Sequence, residues 1–126
     1  HYSTAAVSLI SAIENDKNQY HVVDVKNNGA LDFLDDDDVI EVKANINRDG
    51  AKTVEVKNFD NQFIIGLVRS VKAFEKLTVK AGLNGDYDAA LAALMVHPLI
   101  GDYEIARDIL DEMLEINKEY LPQFNS

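Results

Sequence analysis

The chain has no cysteine among its 126 residues and only two prolines. Without cysteine there is no disulfide and no thiolate metal ligand, which is compatible with a reducing compartment. Positive charge is scarce as well. Twelve Lys and Arg stand against 22 Asp and Glu, a net charge of −10, and the three arginines, Arg48, Arg69 and Arg107, are far apart in sequence. A nucleic-acid groove or an anionic membrane surface needs clustered Lys and Arg, so neither is expected as a partner. No apolar run approaches the roughly 20 residues of a membrane span, and no signal peptide is visible. A cytoplasmic location is the default. Gly-rich phosphate loops, Walker motifs and nucleophile elbows are also missing. His1, His21 and His97 are scattered, and none forms an i, i+4 ligand pair, so a metal site built from this chain alone is not expected.

What is present reads as a single domain of the α+β class. Ser3 or Thr4 is a candidate N-cap for a first helix to about Asn15, with Ala6, Leu9, Ile10 and Ile13 at helical spacing. Tyr20 to Val25 is rich in β-formers and predicts a strand. Asn27-Asn28-Gly29 is a strong turn signal, because Asn and Gly tolerate positive φ. A short extended piece is expected at Ala30 to Leu34. Val42, Ala44 and Ile46 alternate with Glu41, Lys43 and Asn45, as in a strand with one wet face. Asp49-Gly50 predicts a hairpin turn, and Thr53 to Val56 its returning partner.

From Asp60 the period changes to that of helices. Phe63, Ile64, Leu67, Val68, Val71, Phe74, Thr78 and Ala81 form one face of a long helix, expected to be the central core element with Phe63, Leu67, Val71 and Phe74 buried together. Asn84-Gly85 ends it. Asp86 caps a short Ala-rich helix that closes at His97-Pro98, with His97 complementing the helix dipole. A last helix begins near Asp102, with Ile105, Ile109, Met113 and Tyr120 on one side and Leu110, Leu114 and Leu121 beside them, and Pro122 stops it. There is no internal repeat.

The run Asp35 to Asp38 is the loudest local feature. A calcium loop needs spaced oxygens, a Gly at its sharp turn and a terminal Glu. Here the carboxylates are contiguous and no Gly lies among them, so a solvated turn before a strand is expected. The acidic residues Asp111, Glu112, Glu115 and Glu119 read as a wet helix face. Tyr2 lies just ahead of the first helix. Unpaired N–H groups at a helix start favour an anion, so a phenol there, beside a cation, could act as a general base. Because the first helix begins without a lead-in, the chain is read as the carboxyl-terminal piece of something larger, starting just upstream of Tyr2.

In order along the chain, the segments Tyr2-Ser3-Thr4-Ala5-Ala6, Lys26-Asn27-Asn28-Gly29-Ala30, Ala92 to Leu99 and Ile109 to Tyr120 resemble the carboxyl-terminal domain of glycoside hydrolase family four. Among its branches the bacterial 6-phospho-β-glucosidases look most similar. The resemblance implies helices packed on a small antiparallel sheet, as in the carboxyl-terminal domains of lactate and malate dehydrogenases. It also implies an exception to the two-carboxylate rule of glycosidases. In this family NAD⁺ takes hydride from C3 of the sugar, and the resulting ketone acidifies the C2 proton. A tyrosine base removes that proton while a divalent metal, usually Mn²⁺, polarises the oxygens at C2 and C3. The aglycone leaves by elimination, water adds at C1, and hydride returns.

By this resemblance Tyr2 is the catalytic base, and Lys26 and Asn27 are substrate-binding candidates for the sugar-phosphate pocket. Lys26 departs from the arginine common at its position, and an ammonium cannot grip phosphate bidentately. A tight turn alone would equally explain Asn27-Asn28-Gly29. The dinucleotide loop and the metal-ligating Cys and His are implied to lie in an amino-terminal domain. This chain is therefore expected to bind neither NAD nor metal and to be inactive alone. The implied partners are a phosphorylated disaccharide or β-glucoside, the chain's own amino-terminal domain and further copies of the protein. The rival readings are another family-four specificity (6-phospho-α-glucosidase, α-galactosidase or α-glucuronidase) and a non-catalytic oligomerisation or interaction domain.

Overall fold

The computed structural model describes residues 2–124. The elements run α1 (Tyr2–Glu14), β1 (Gln19–Lys26), β2 (Val39–Asn47), β3 (Gly50–Thr53), α2 (Gln62–Asn84), α3 (Tyr87–Val96) and α4 (Tyr103–Ile116), with a 3₁₀ turn at Pro122–Phe124. The class is α+β. The chain forms two compact units, residues 1–59 and 60–126. The first holds α1 and the sheet, and the second holds the other three helices.

In the first unit the sheet is antiparallel in the order β1-β2-β3. Val23 lies opposite Val42, Val25 opposite Ile40 and His21 opposite Ala44. With a side-chain period of two, these residues and Ile46 share one face, and Asp24, Lys26, Glu41 and Lys43 share the other. Two covers complete the buried face. Leu9, Ala12 and Ile13 of α1 pack with Val23, Ala44 and Ile46. The loop after β1 packs Ala30, Leu31 and Leu34 against Val25, Ile40 and Val42. Residues 30–34 are thus a folded turn rather than the expected extended piece, because Ala30 and Leu31 are drawn under the sheet to bury apolar surface.

The hairpin is shifted from its expected register. Asn47 pairs with Gly50, so Arg48 and Asp49 are the loop and β3 is Gly50–Thr53, not Thr53–Val56. Asn47 Oδ1 accepts the Asp49 N–H at 2.9 Å and thereby nucleates the turn one position earlier. Val56 then leaves β2 altogether and donates its N–H to the Ala30 carbonyl at 2.9 Å.

In the second unit each helix start is fixed by its own cap. Asn61 accepts from the Ile64 N–H, Asp86 from Ala89 and Asp102 from Ile105. Gly85, with φ of 66°, closes α2 as expected and donates to the Ala81 carbonyl. Its missing Cβ also matters, since a methyl there would sit 1.8 Å from the Gln123 carbonyl oxygen. Two expectations of facing are corrected. Of the face expected on α2, Ala81 is buried but Phe63 is 79% exposed, and the other buried residue of the helix, Ile65, lies off that face. On α4 the buried residues are Ala106 and Leu110, while Ile105, Met113 and Tyr120 lie outside. Small residues decide both: Ala81, Ala89, Ala93 and Ala106 let the backbones approach closely, so the interface follows them rather than the largest side chains. α4 also ends at Ile116, ahead of Pro122, because Asn117 turns its N–H and Nδ2 onto the Met113 carbonyl.

Candidate functional site

The site expected from sequence begins at the end of β1. Lys26 is its last residue, and Asn27 opens a turn whose carbonyl accepts the Ala30 N–H at 2.9 Å. The two central residues have φ of 44° at Asn28 and 79° at Gly29. Two consecutive positive φ values belong to a type I′ turn, which Asn and Gly accept at least cost.

Asn27 itself is fully buried. Its Nδ2 donates to the carbonyls of Leu31 at 2.9 Å, Leu34 at 3.1 Å and Asp35 at 3.2 Å. Its Oδ1 accepts the Leu31 N–H at 2.7 Å. Its backbone N–H donates to the Asp38 carbonyl at 2.7 Å, and the Asn28 N–H to the Asp36 carbonyl at 3.0 Å. One amide thus ties both halves of the loop to the strand end. The geometry gives Asn27 the place of a loop anchor.

Lys26 is on the wet face. Its Nζ lies 2.7 Å from Asp37 Oδ1, with side-chain exposures of 61% and 88%. The hydrogen bond to Asp37, reinforced by its charge, holds the ammonium above its ordinary range, and the same contact holds the Asp37 carboxyl below its own. A pair this exposed adds little to stability. It does keep Lys26 charged. The acidic run is thus not uniformly solvated: Asp38 is buried, and its Oδ2 accepts the Asp35 N–H at 3.1 Å.

Beside the turn lies a polar cleft of about 270 Å³, lined by Gly29, Ala30, Asp32, Glu55, Val56, Lys57 and Asn58. Two carboxylates face one ammonium there, so the cleft is not by itself a phosphate cradle.

Tyr2 is the first residue of α1, not a residue ahead of it, and is 96% exposed. Ser3 and Thr4 therefore lie within the helix rather than capping it. No hydrogen bond or ion pair joins Tyr2 to Lys26 or Asn27. His1 lies outside the described residues. His21 sits on the covered face of the sheet, with its Nε2 buried and unpartnered. His97 caps α3 through its backbone; its ring meets Phe74 edge-on at 4.7 Å, and Nδ1 accepts the Leu99 N–H.

Among the described residues no three His, Cys, Asp or Glu side chains gather closely enough to hold a metal ion. At each helix start of the second unit the cap accepts one N–H, and two of the three caps, Asp86 and Asp102, are carboxylates that would repel a pyrophosphate.

The profile of the family 4 glycosyl hydrolase C-terminal domain matches residues 1–100. This chain belongs to that family. A probable 6-phospho-beta-glucosidase of Bacillus subtilis is 42% identical over 98% of the chain. The 6-phospho-beta-glucosidase BglT of Thermotoga maritima is 39% identical over 95%. The chain spans only 28% and 29% of those two proteins. Among solved structures, a 6-phospho-alpha-glucosidase from gut microorganisms, in complex with NAD and Mn²⁺, superposes with a TM-score of 0.89 at 34% identity. That match covers 97% of this chain and 28% of the other. The Thermotoga maritima enzyme with NAD and glucose-6-phosphate gives a TM-score of 0.85 at 39% identity, over 95% and 29%.

Two features of this family 4 domain were not legible from the sequence. Lys26 and Asp37 are eleven residues apart, and only the antiparallel register, with Lys26 opposite Val39, brings them together. The multiple bonding of Asn27 likewise depends on the loop folding back beneath β1. The Asn-Asn-Gly turn signal located the loop without showing which Asn would be buried.

Proposed function

We propose that this chain is the carboxyl-terminal domain of an NAD- and divalent-metal-dependent 6-phospho-β-glucosidase. The observation that carries this reading is the match to 6-phospho-beta-glucosidases over nearly the whole chain at 42% and 39% identity. Curated α-specific relatives, such as a phospho-alpha-glucosidase of Clostridium acetobutylicum and a 6-phospho-alpha-glucosidase of Lacticaseibacillus paracasei, stand at 31%. The TM-score of 0.89 to a 6-phospho-alpha-glucosidase supports α-specificity as the second reading.

In this proposal the dinucleotide and metal sites belong to the remainder of the enzyme, and the chain's own residues have three tasks. Tyr2, exposed at the start of α1, takes the C2 proton of the sugar as general base. Lys26 offers one ammonium to the sugar phosphate. Asp37 engages one of the three N–H groups of this ammonium, which leaves two for the phosphate. Asn27 acts as a positioning residue that fixes the strand end from which Lys26 projects.

The test compares the intact enzyme and this chain alone on 4-nitrophenyl β- and α-glucoside 6-phosphates with NAD⁺ and Mn²⁺. The reading expects turnover of the β-anomer by the intact enzyme and none by the isolated chain. Preference for the α-anomer would support the second reading, and turnover by the chain alone would overturn the division of tasks.

A further inference from the structure

We infer that Asn28 is a site of spontaneous deamidation, a built-in modification point at the tip of the loop after β1. Asn followed by Gly occurs twice in the chain, at Asn28-Gly29 and Asn84-Gly85. The reaction is the same at any such pair. The backbone nitrogen of the glycine attacks Cγ of the asparagine. A C–N bond forms as the Cγ–Nδ2 bond breaks, ammonia leaves, and a five-membered succinimide remains. Water then opens the ring at either carbonyl and gives aspartate or isoaspartate. Glycine promotes the attack because it has no Cβ to crowd the nucleophile and because its backbone rotates freely. No oxidant, enzyme or cofactor enters the balance.

The fold treats the two pairs differently. At Asn84-Gly85 the nucleophile is already engaged, since the Gly85 N–H donates to the Ala81 carbonyl at 2.9 Å. The leaving group is held as well: Asn84 Nδ2 donates to the Lys80 carbonyl at 2.9 Å from within the last turn of α2. The Gly85 backbone is further packed beneath Gln123. At Asn28-Gly29 these restraints are weak or missing. The Gly29 N–H has no acceptor among the described residues. Asn28 Nδ2 reaches only the Lys26 carbonyl, at 3.4 Å, the limit of a hydrogen bond. Both residues are exposed, and a Cβ placed on Gly29 would meet nothing within 4 Å. Asn28 also sits in a two-residue turn closed by the Asn27–Ala30 bond, whereas Asn84 ends a helix of 23 residues. The neighbouring Asn27 is protected by burial and by its bonds to Leu31, Leu34 and Asp35.

The product changes the site. Aspartate at position 28 puts a new carboxylate two residues from Lys26, and isoaspartate adds a methylene to the backbone of a turn fixed by the Asn27–Ala30 bond. The modification itself does not depend on the role proposed for Lys26.

The experiment ages the folded protein at mildly alkaline pH, with a parallel sample in guanidinium, and follows both Asn-Gly peptides by mass spectrometry with fragmentation. In the folded sample Asn28 should convert roughly tenfold faster than Asn84 or more, and Asn27 should stay intact. In guanidinium the two pairs should react at similar rates, which makes the fold the cause of the difference. Asn28→Gln should remove the modification from its peptide and leave Asn84 unaffected. The inference is overturned if Asn84 converts as fast as Asn28 in the folded protein, if folded Asn28 survives while both pairs react in guanidinium, or if the rate ratio persists after unfolding.

Discussion

Replacing Asn27 by Ala should be among the most damaging single changes in the first unit, although the residue is polar and lies in a loop. The magnitude follows from its partners. The amide donates two protons shared among the carbonyls of Leu31, Leu34 and Asp35, and accepts one from the Leu31 N–H. Asn27 is closed to water, so alanine leaves these groups with no replacement partner. Three bonds at about 1–1.5 kcal/mol each give a loss of about 3–4.5 kcal/mol, a large part of the roughly 5–15 kcal/mol by which domains are usually stable. Asn27→Asp keeps the shape and the bond from Leu31 but turns a carboxylate toward three carbonyls, and should cost at least as much at neutral pH. Lys26→Ala, one residue earlier, should change stability little, because its ion pair is exposed. Urea titration followed by circular dichroism measures the global loss. Because the chain has two compact units, site-resolved amide exchange at Ala30 and Leu31 should accompany it. If Asn27→Ala loses less than about 1 kcal/mol and those amides stay protected, the anchoring argument is wrong.

The burial pattern separates two apolar substitutions: Ile46→Ala should cost about 2–5 kcal/mol in urea melts, whereas Phe63→Ala should cost close to nothing in this chain. A large loss at Phe63 would mean that α2 packs on the face first expected from its periodicity. Gly85→Ala meets both a left-handed φ and the Gln123 carbonyl, so it should lose about 1–2 kcal/mol for handedness alone and free the Leu121–Phe124 segment to exchange faster. The Asp86 carboxyl is held below its ordinary range, first by the Ala89 N–H that it caps and then by Lys80. A depressed folded pKa means that its stabilisation is present above the unfolded value and is lost as pH falls through the folded one, in the range below about pH 4. Asp86→Asn keeps a cap but cannot titrate, so its thermal midpoint should fall less steeply with acid than that of the wild type. Equal slopes would remove Asp86 from the acid response.

The helix boundaries in the second unit were legible because capping is local chemistry. Asn84-Gly85, Asp86 and Asp102 each satisfy or release a backbone group within four residues of themselves, and each acts where the sequence places it. Facing was less legible. The stripe from Phe63 through Val68 and Phe74 to Ala81 is good by spacing, but of it only Ala81 is buried, together with Ile65 beside it, and periodicity cannot say which part of a helix surface a partner will cover. Alanines chose it, by allowing close approach. The strand pair was legible from alternation, yet its hairpin moved by one position because Asn47 supplied a side-chain acceptor that the Asp-Gly signal does not weigh. The candidate site was legible only in part. The Asn-Asn-Gly turn located the loop, while the burial of Asn27 and the pairing of Lys26 with Asp37 depend on register. Tyr2 entered by family resemblance, and its local surroundings within the chain do not single it out.

The role of Tyr2 is the central claim, and exchange at the sugar C2 position tests it most directly. The measurement is incorporation of solvent deuterium at C2 during turnover by the intact enzyme and by its Tyr2→Phe variant. Tyr2 is almost fully exposed in this chain, so removing its hydroxyl should leave the packing of α1 unchanged. Loss of a positioned base should slow both exchange and hydrolysis by about 10²–10⁴-fold, with affinity for NAD⁺ and Mn²⁺ nearly unaffected. Exchange and hydrolysis at the wild-type rate in Tyr2→Phe would contradict the account and leave Tyr2 as the first residue of a helix and nothing more.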